Sequence, residues 1–468
     1  MPFSRVFASF ADNPGFSGMT PPDRRAGVLL HPTSLPSGTL ADASRWLEFL
    51  HASGFCVWQM LPLGIPLTGL SPYQCASAFA VDPTLFPEDA AIDAAGYVDW
   101  QARQAHWLDD FARFMVIKAE QGGAPWTDWP RALRDREPGV MVRFDVVHAE
   151  ALEAVKLAQY RAVAYWHALR AQAAARGIRL FGDMPIFVAH DSADVWARRD
   201  LFLLDATGHP ELVAGVPPDY FSETGQRWGN PHYNWAVMKA DGFAWWRARL
   251  VAHFEWFDLL RIDHFRGLAA AWHIPASEST AVRGEWVPTP GDELLQSIAD
   301  TMGPLPLVAE DLGIITPDVT ALRQRFNLPN MAVLQFAFDA HADNPHKPEN
   351  VQPDTVYYTG THDNDTTAGW WQALPETVRG QVIAQLGVGD ATAVPDAMLD
   401  TVLHSRAGLA VLPLQDLLGL GSEARMNTPG TEAGNWTWRF AWDALTPELA
   451  SRLLEKNRKA QRCPMPNA

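Results

Sequence analysis

Cysteine is nearly missing from this chain. Cys56, Cys75 and Cys463 are its only three. The number is odd and no CxxC or Cys/His spacing occurs, so neither a disulfide framework nor a zinc knuckle is indicated. Positive charge is also short. Thirty-seven basic side chains stand against 54 acidic ones, a formal charge of −17. That argues against nucleic acid or an anionic membrane as a partner, because both need a basic footprint. No apolar run approaches the length of a membrane span. Met1 to Arg25 contains no apolar stretch preceded by basic residues, as a secretory leader would. A soluble, cytoplasmic protein is the expectation. No GxGxxG occurs, which removes the usual sign of a dinucleotide fold, and no His-x-His or HExxH offers a metal site. There is no repeat of fixed period and no low-complexity tract.

What the sequence has instead is a series of short apolar runs that end in acids. Leu259-Leu260-Arg261-Ile262-Asp263 is the clearest. Leu180-Phe181-Gly182-Asp183, Leu305-Pro306-Leu307-Val308-Ala309-Glu310-Asp311 and Val356-Tyr357-Tyr358-Thr359-Gly360-Thr361-His362-Asp363 have the same form. Continuous apolar runs are what parallel strands covered on both faces look like. Helical sequence separates them, which predicts a parallel α/β fold. Eight candidate strands start near residues 28, 56, 179, 259, 306, 331, 355 and 409. Eight is the number a (β/α)8 TIM barrel needs, and the acids would then lie at its C-terminal face, where barrel active sites sit. Residues 1–24 are Gly-, Pro- and Ser-rich and read as loosely ordered. Residues 25–468 read as one barrel domain with insertions at about 77–177 and 188–257.

Within the first insertion Trp100, Trp107 and Phe111 read as one side of a helix. A longer helix over about 148–176 is stopped by Gly177, a natural residue just past a helix end. Helices are also expected near 291–302, 317–326 and 446–462. Gly215 to Pro231, with its prolines, glycines and rings, reads as a loop presenting aromatics to solvent, a common setting for function.

On a strand, Arg261 and Asp263 point the same way. A guanidinium there favours the ionised carboxylate, which suits Asp263 as a nucleophile or electrostatic stabiliser. A structural ion pair is the plainer explanation of the same pattern. Three chemistries fit a ring of acids. A metal is poorly served, since neighbours such as Asp263-His264 and His362-Asp363 face opposite ways along a strand. A glycosidic-bond enzyme needs one ionised and one protonated carboxyl; Glu310, following Leu307-Val308-Ala309, is expected in an apolar setting that favours the acid form. A binding protein could use the same acids to hold sugar hydroxyls without turnover. Twenty tryptophans could supply faces for sugars, although any single one is more readily explained by the core.

Nine runs of this chain, taken in order, resemble 4-α-glucanotransferases of the amylomaltase, or disproportionating-enzyme, family. They are His31-Pro32-Thr33-Ser34-Leu35-Pro36, Trp58 to Gly64, Ser71-Pro72-Tyr73-Gln74, Gly182 to Phe187 and Gly215 to Pro231, then Arg261 to Gly267, Ala309 to Gly313, Tyr358 to Asp365 and Arg425 to Thr431. The resemblance implies a (β/α)8 barrel with helical and loop insertions and no separate C-terminal β-domain. It implies double displacement on α-1,4-glucans and malto-oligosaccharides, with no metal or organic cofactor. It makes Asp263 the nucleophile, Glu310 the acid/base and Asp363 the group that binds and distorts the transferred sugar. Arg261 would hold the nucleophile. Asp183, His264 and His362 would sit in the donor-side site, and Tyr73, Asp219 and Trp228 would shape glucan binding near the reacting bond. The two catalytic carboxyls would lie roughly 5–5.5 Å apart. An α-glucan hydrolase on the same scaffold and a catalytically silent glucan-binding protein are the alternatives. Two stretches depart from the family: Ser37-Gly38-Thr39-Leu40-Ala41 is shorter than usual, and Ile65 to Leu70 replaces a glycine-richer run. Both bear on chain-length and acceptor preference. Asp311 and Asp365 are expected to face away from the site.

Overall fold

A computed structural model describes residues 24–67, 69–87, 93–219, 222–431 and 433–462. Residues 1–23 of the segment expected to be loosely ordered lie outside the described residues. Twelve strands are formed among the described residues: β1 Arg25–Leu29, β2 Val57–Gln59, β3 Arg179–Pro185, β4 Leu212–Val216, β5 Gln226–Pro231, β6 Leu259–Asp263, β7 Ala270–Pro275, β8 Glu285–Pro288, β9 Leu307–Ala309, β10 Asn330–Val333, β11 Thr355–Tyr358 and β12 Leu409–Pro413. Eight of them make one parallel sheet in the order β10-β11-β12-β1-β2-β3-β6-β9. The end strands approach each other, and Ala309 N donates to Pro329 O at 2.9 Å. The result is a nearly closed eight-stranded α/β barrel, as expected.

The barrel strands are buried on both faces, which explains their unbroken apolar character. Leu409–Pro413 is wholly buried. Side chains alternate between the interior, where Leu29, Val57, Phe181, Leu259, Val308, Val333 and Val411 cluster, and the layer under the helices. Gly182 has a specific reason to lack a side chain: a Cβ there would lie 2.2 Å from the ring of Phe257. That close approach lets Phe257, just past the helix Ala244–Trp256, pack against β3. Trp46, Trp58, Trp126, Trp166, Trp196 and Trp246 are fully buried. With Trp100, Trp129, Trp245 and Trp436, which are also buried, half of the twenty tryptophans are core.

The first insertion is helical, and the helix Ala149–Ala175 ends before Gly177, which takes the left-handed conformation at φ 69°. One expectation fails here. Trp100, Trp107 and Phe111 do not share a helix, because the chain breaks between Ala94–Gln104 and Leu108–Glu120. Trp107 sits at the break, with its indole N–H bonded to Gln104 Oε1 at 2.8 Å. The second insertion differs from its prediction as well. Gly215 to Pro231 is not a plain loop: its ends are β4 and β5, in a four-stranded antiparallel sheet ordered β5-β4-β7-β8. The missing partners, β7 and β8, come from after β6, beyond the expected insertion boundary. Cys75 is a free thiol, and Cys56 is disulfide-bonded, a bridge that the cysteine spacing does not announce. Among the described residues no helix is long and apolar enough to cross a membrane.

Candidate active site

The acids expected at the strand ends do converge. Asp263 is the last residue of β6, and Glu310 immediately follows β9, which pairs with β6. Asp363 lies on the loop after β11. All three line one cleft of about 920 Å³ together with Asp219, Trp228, Arg261, His264 and Gln335. A second cleft of about 840 Å³ is lined by Tyr73, Gln74, Phe187, Asn427, Asn435 and Trp436. Trp228, Asp263 and Asp363 line both, so the two clefts meet at the carboxylates.

A chain of polar contacts runs behind the acids. Arg261 Nη2 contacts Asp263 Oδ1 at 2.9 Å. Its Nη1 donates to both oxygens of Asp183, at 2.9 and 2.8 Å. The hydroxyl of Tyr73 donates to Asp183 Oδ2 at 2.9 Å and lies 2.9 Å from His362 Nε2. Tyrosine has a single proton, so with that proton on Asp183 the histidine must donate to the phenol. His362 Nε2 is also 3.4 Å from Asp363 Oδ2. Tyr73 and His362 stack, 5.3 Å between centroids, with Trp436 tilted against both. Asp183 has no exposed side-chain surface. It borders the inner side of the site and lines neither cleft.

The electrostatics correct one expectation. Arg261 does touch Asp263, yet the carboxyl is pushed up to about 7. Burial is the largest cause, and Asp183, Glu310 and Asp363 add repulsion that Arg261 only partly offsets. Desolvation and like charges both disfavour the ionised form. Glu310 is not in the apolar setting its sequence suggests. Its Oε2 accepts from His264 N at 2.8 Å and its Oε1 from Leu312 N at 2.9 Å. His264 makes that contact from a left-handed backbone, φ 52°. Its imidazole meets the edge of Trp228 at 4.8 Å, and burial lowers it to about 4. Its Nε2 is buried without a hydrogen-bond partner.

The remaining predicted residues flank this centre. Trp228 is half-buried on β5, its indole N–H bonded to Gln226 Oε1 at 3.1 Å. Asp219 caps the turn above it, accepting from Ser222 N at 2.9 Å. Asp311 faces away, as expected: it accepts from Met331 N and lies 3.7 Å from Arg323. Asp365 does not; it lines the larger cleft and accepts from Ser422 Oγ.

Sequence reasoning gave no role to four further residues. Asn427 Nδ2 donates to Asp363 Oδ1 at 2.6 Å, and Arg425 Nη2 to Asp363 O at 2.6 Å. Gln335 Nε2 donates to Asp365 O. Trp436 backs the Tyr73–His362 stack. Arg425 and Asn427 lie in a run that the resemblance picks out, which was the available signal; Trp436 had none beyond being one tryptophan among many. No group of three or more potential metal ligands exists among the described residues.

An eight-stranded α/β barrel with carboxylates at the C-terminal rim of its strands, open to two clefts, is a frame that suits an enzyme of glycosidic bonds. The family model described as 4-alpha-glucanotransferase (glycoside hydrolase family 77) matches residues 29–91 and 86–446, and the chain belongs to that family. It is a 4-alpha-glucanotransferase. It is 45% identical to the 4-alpha-glucanotransferase of Thermus thermophilus over 486 aligned residues, covering 92% of this chain and 97% of that one. It is 43% identical to the Synechocystis enzyme of the same name, covering 92% and 96%. Among solved structures it resembles an amylomaltase from Streptococcus agalactiae in complex with acarbose, with a TM-score of 0.89, 32% identity and coverage of 94% and 99%. An amylomaltase from Corynebacterium glutamicum shares the fold at a TM-score of 0.74 and 16% identity.

Proposed function

We propose that this enzyme moves α-1,4-glucan segments between malto-oligosaccharides by a retaining double displacement. Asp263 attacks the anomeric carbon of the donor sugar. The C1–O4 bond breaks, and Glu310 protonates the departing O4. A glucosyl ester on Asp263 results. The released glucan leaves and an acceptor glucan takes its place. Glu310 removes the proton from the acceptor 4-hydroxyl, that oxygen attacks C1, and the ester bond to Asp263 breaks. Two inversions leave the α configuration unchanged.

One observation carries this reading: the two clefts meet at Asp263 and Asp363. The cleft holding Tyr73, Asn427 and Trp436 suits the donor, and the cleft holding Glu310, Asp219 and Gln335 suits the acceptor. A substrate chain lying through both has its bond at the junction. Glu310 is anchored by two main-chain donors. In its acid form it keeps one of them and turns the other oxygen, with its proton, to the glycosidic oxygen. Asp363, held by Asn427 and Arg425, binds hydroxyls of the transferred sugar. A sugar seated under Trp228 excludes water and orients its 4-hydroxyl, favouring transfer over hydrolysis. His264 and His362 present ring edges to the transferred sugar on the donor side, and the Tyr73–His362 stack forms its floor.

Incubation with maltotriose tests the proposal. Transfer yields glucose and a ladder of longer glucans while total reducing ends stay constant. Rising reducing ends would mean hydrolysis, and unchanged maltotriose would mean binding alone.

A further inference from the structure

Arg261 carries one positive charge between two aspartates, and it is shared unequally. Asp183 receives both contacts of Nη1, at 2.9 and 2.8 Å, while Asp263 receives the single contact of Nη2 at 2.9 Å. The Asp183 side chain has no exposed surface and Arg261 only 6%, whereas Asp263 keeps 31%. The pair Asp183–Arg261 is thus sealed from solvent and unscreened, with Asp263 at its open end. Register fixes this arrangement, because Asp183 on β3 lies opposite Arg261 on β6. Asp183 has a second partner, the hydroxyl of Tyr73.

We propose that Asp183 is a positioning residue that acts through Arg261: by drawing most of the guanidinium to itself, it leaves the attacking carboxylate of Asp263 only partly neutralised. This rests on the reading of Asp263 as nucleophile. A carboxylate fully paired with a guanidinium is a stable ion and a poor nucleophile, so an Arg261 free to serve Asp263 alone would hold its charge too firmly. The groups facing Asp263 are Arg261 on its own strand, Asp183 on β3, Glu310 after β9 and Asp363 after β11. Tyr73 and His362 stand behind Asp183. Removing the Asp183 charge takes away a repulsion and releases an attraction, and both favour ionised Asp263. Removing the Tyr73 hydroxyl strips Asp183 of a donor, concentrates its charge and does the opposite.

The test is the acid limb of kcat/KM for glucose release from maltotriose, which reports ionisation in the free enzyme. In Asp183→Asn the limb moves to lower pH, by about one unit. In Tyr73→Phe it moves to higher pH. A purely structural role for Asp183 lowers the yield of active enzyme and leaves the limb in place. An unmoved limb in Asp183→Asn, or one moved upwards, overturns the proposal. If Asp183→Asn does not fold, Tyr73→Phe decides alone: an upward shift supports the proposal, and no shift or a downward one overturns it. Asp263→Asn is measured alongside. If it retains turnover, the nucleophile assignment falls and this proposal with it; if it is inactive while the limbs stay fixed, only the role of Asp183 falls.

Discussion

His264 and Glu310 are joined through the main chain. The backbone N–H of His264 donates to Glu310 Oε2 at 2.8 Å from a left-handed conformation, φ 52°. Side chains other than glycine resist that region by about 1–2 kcal/mol, so the contact is held at a cost at the reacting centre. Glycine at this position keeps the donor and removes the strain. We predict that His264→Gly is more stable than His264→Ala by about 1 kcal/mol in urea unfolding, with turnover reduced in both because the imidazole is gone. Equal stabilities would show that the conformation is unstrained.

Asp263→Asn and Glu310→Gln should each abolish turnover while leaving the fold intact. Rates like those of the wild type in either would reject the assigned roles. Asp263→Asn should also change how stability depends on pH. The native carboxyl is raised to about 7, above the ordinary unfolded value of about 3.9. Its stabilising contribution is complete below the unfolded value and is lost as pH rises through the native one. The asparagine variant should therefore gain thermal stability over the wild type at pH above about 7 and lose that advantage towards pH 4. A difference independent of pH would contradict the raised value.

Trp228→Ala should shift the partition of the glucosyl-enzyme towards water. The half-buried indole closes one side of the junction against His264. Without it, water reaches the ester more readily and the acceptor sugar loses a wall. The ratio of new reducing ends to transferred product on maltotriose should rise several-fold. An unchanged ratio would remove Trp228 from the acceptor site.

His232, just past β5, and His273 on β7 stack face to face, 3.5 Å between ring centroids. Burial, then the neighbouring His273, lowers His232 to about 3, and its Nε2 has no hydrogen-bond partner. The unfolded chain takes up a proton near pH 6.5, where the native state does not. The contribution of His232 to stability is thus present above about 6.5 and lost as pH falls towards 3. We predict that His232→Phe flattens the fall in unfolding free energy between neutral pH and about two units lower. An identical slope in variant and wild type would mean that this ring is not buried neutral.

The barrel was readable because its strands are apolar on both faces and because acids close four of the runs, those ending in Asp183, Asp263, Glu310 and Asp363. Residues such as Leu260, Val308 and Val411 have no polar alternation to confuse them with a half-exposed strand. The antiparallel sheet was not readable for the opposite reason. Gln226-Arg227-Trp228-Gly229-Asn230-Pro231 has no alternation of its own, and it is ordered by pairing with β4, which in turn pairs with Ala270–Pro275 far along the chain. Local sequence holds no record of such a partner. The break between Trp100 and Trp107 was hidden because Ala105 and His106 are compatible with continuing a helix. At the site, the identities of the acids were legible and their charge states were not. Asp183 and Asp263 carry the same side chain at the ends of similar runs. Only the register between β3 and β6 shows that one is sealed against Arg261 and the other is open to the clefts.

The central claim is a covalent glucosyl ester on Asp263. The most direct measurement combines Glu310→Gln with an α-maltosyl fluoride. Fluoride departs without an acid, so the first displacement proceeds, and without a base to activate an acceptor the ester persists. Mass mapping of the quenched protein should find one maltosyl unit on the peptide containing Asp263, lost when Asp263→Asn is added. A sugar attached to any other residue, or fluoride released with β-maltose as the first product and no adduct, would contradict the account.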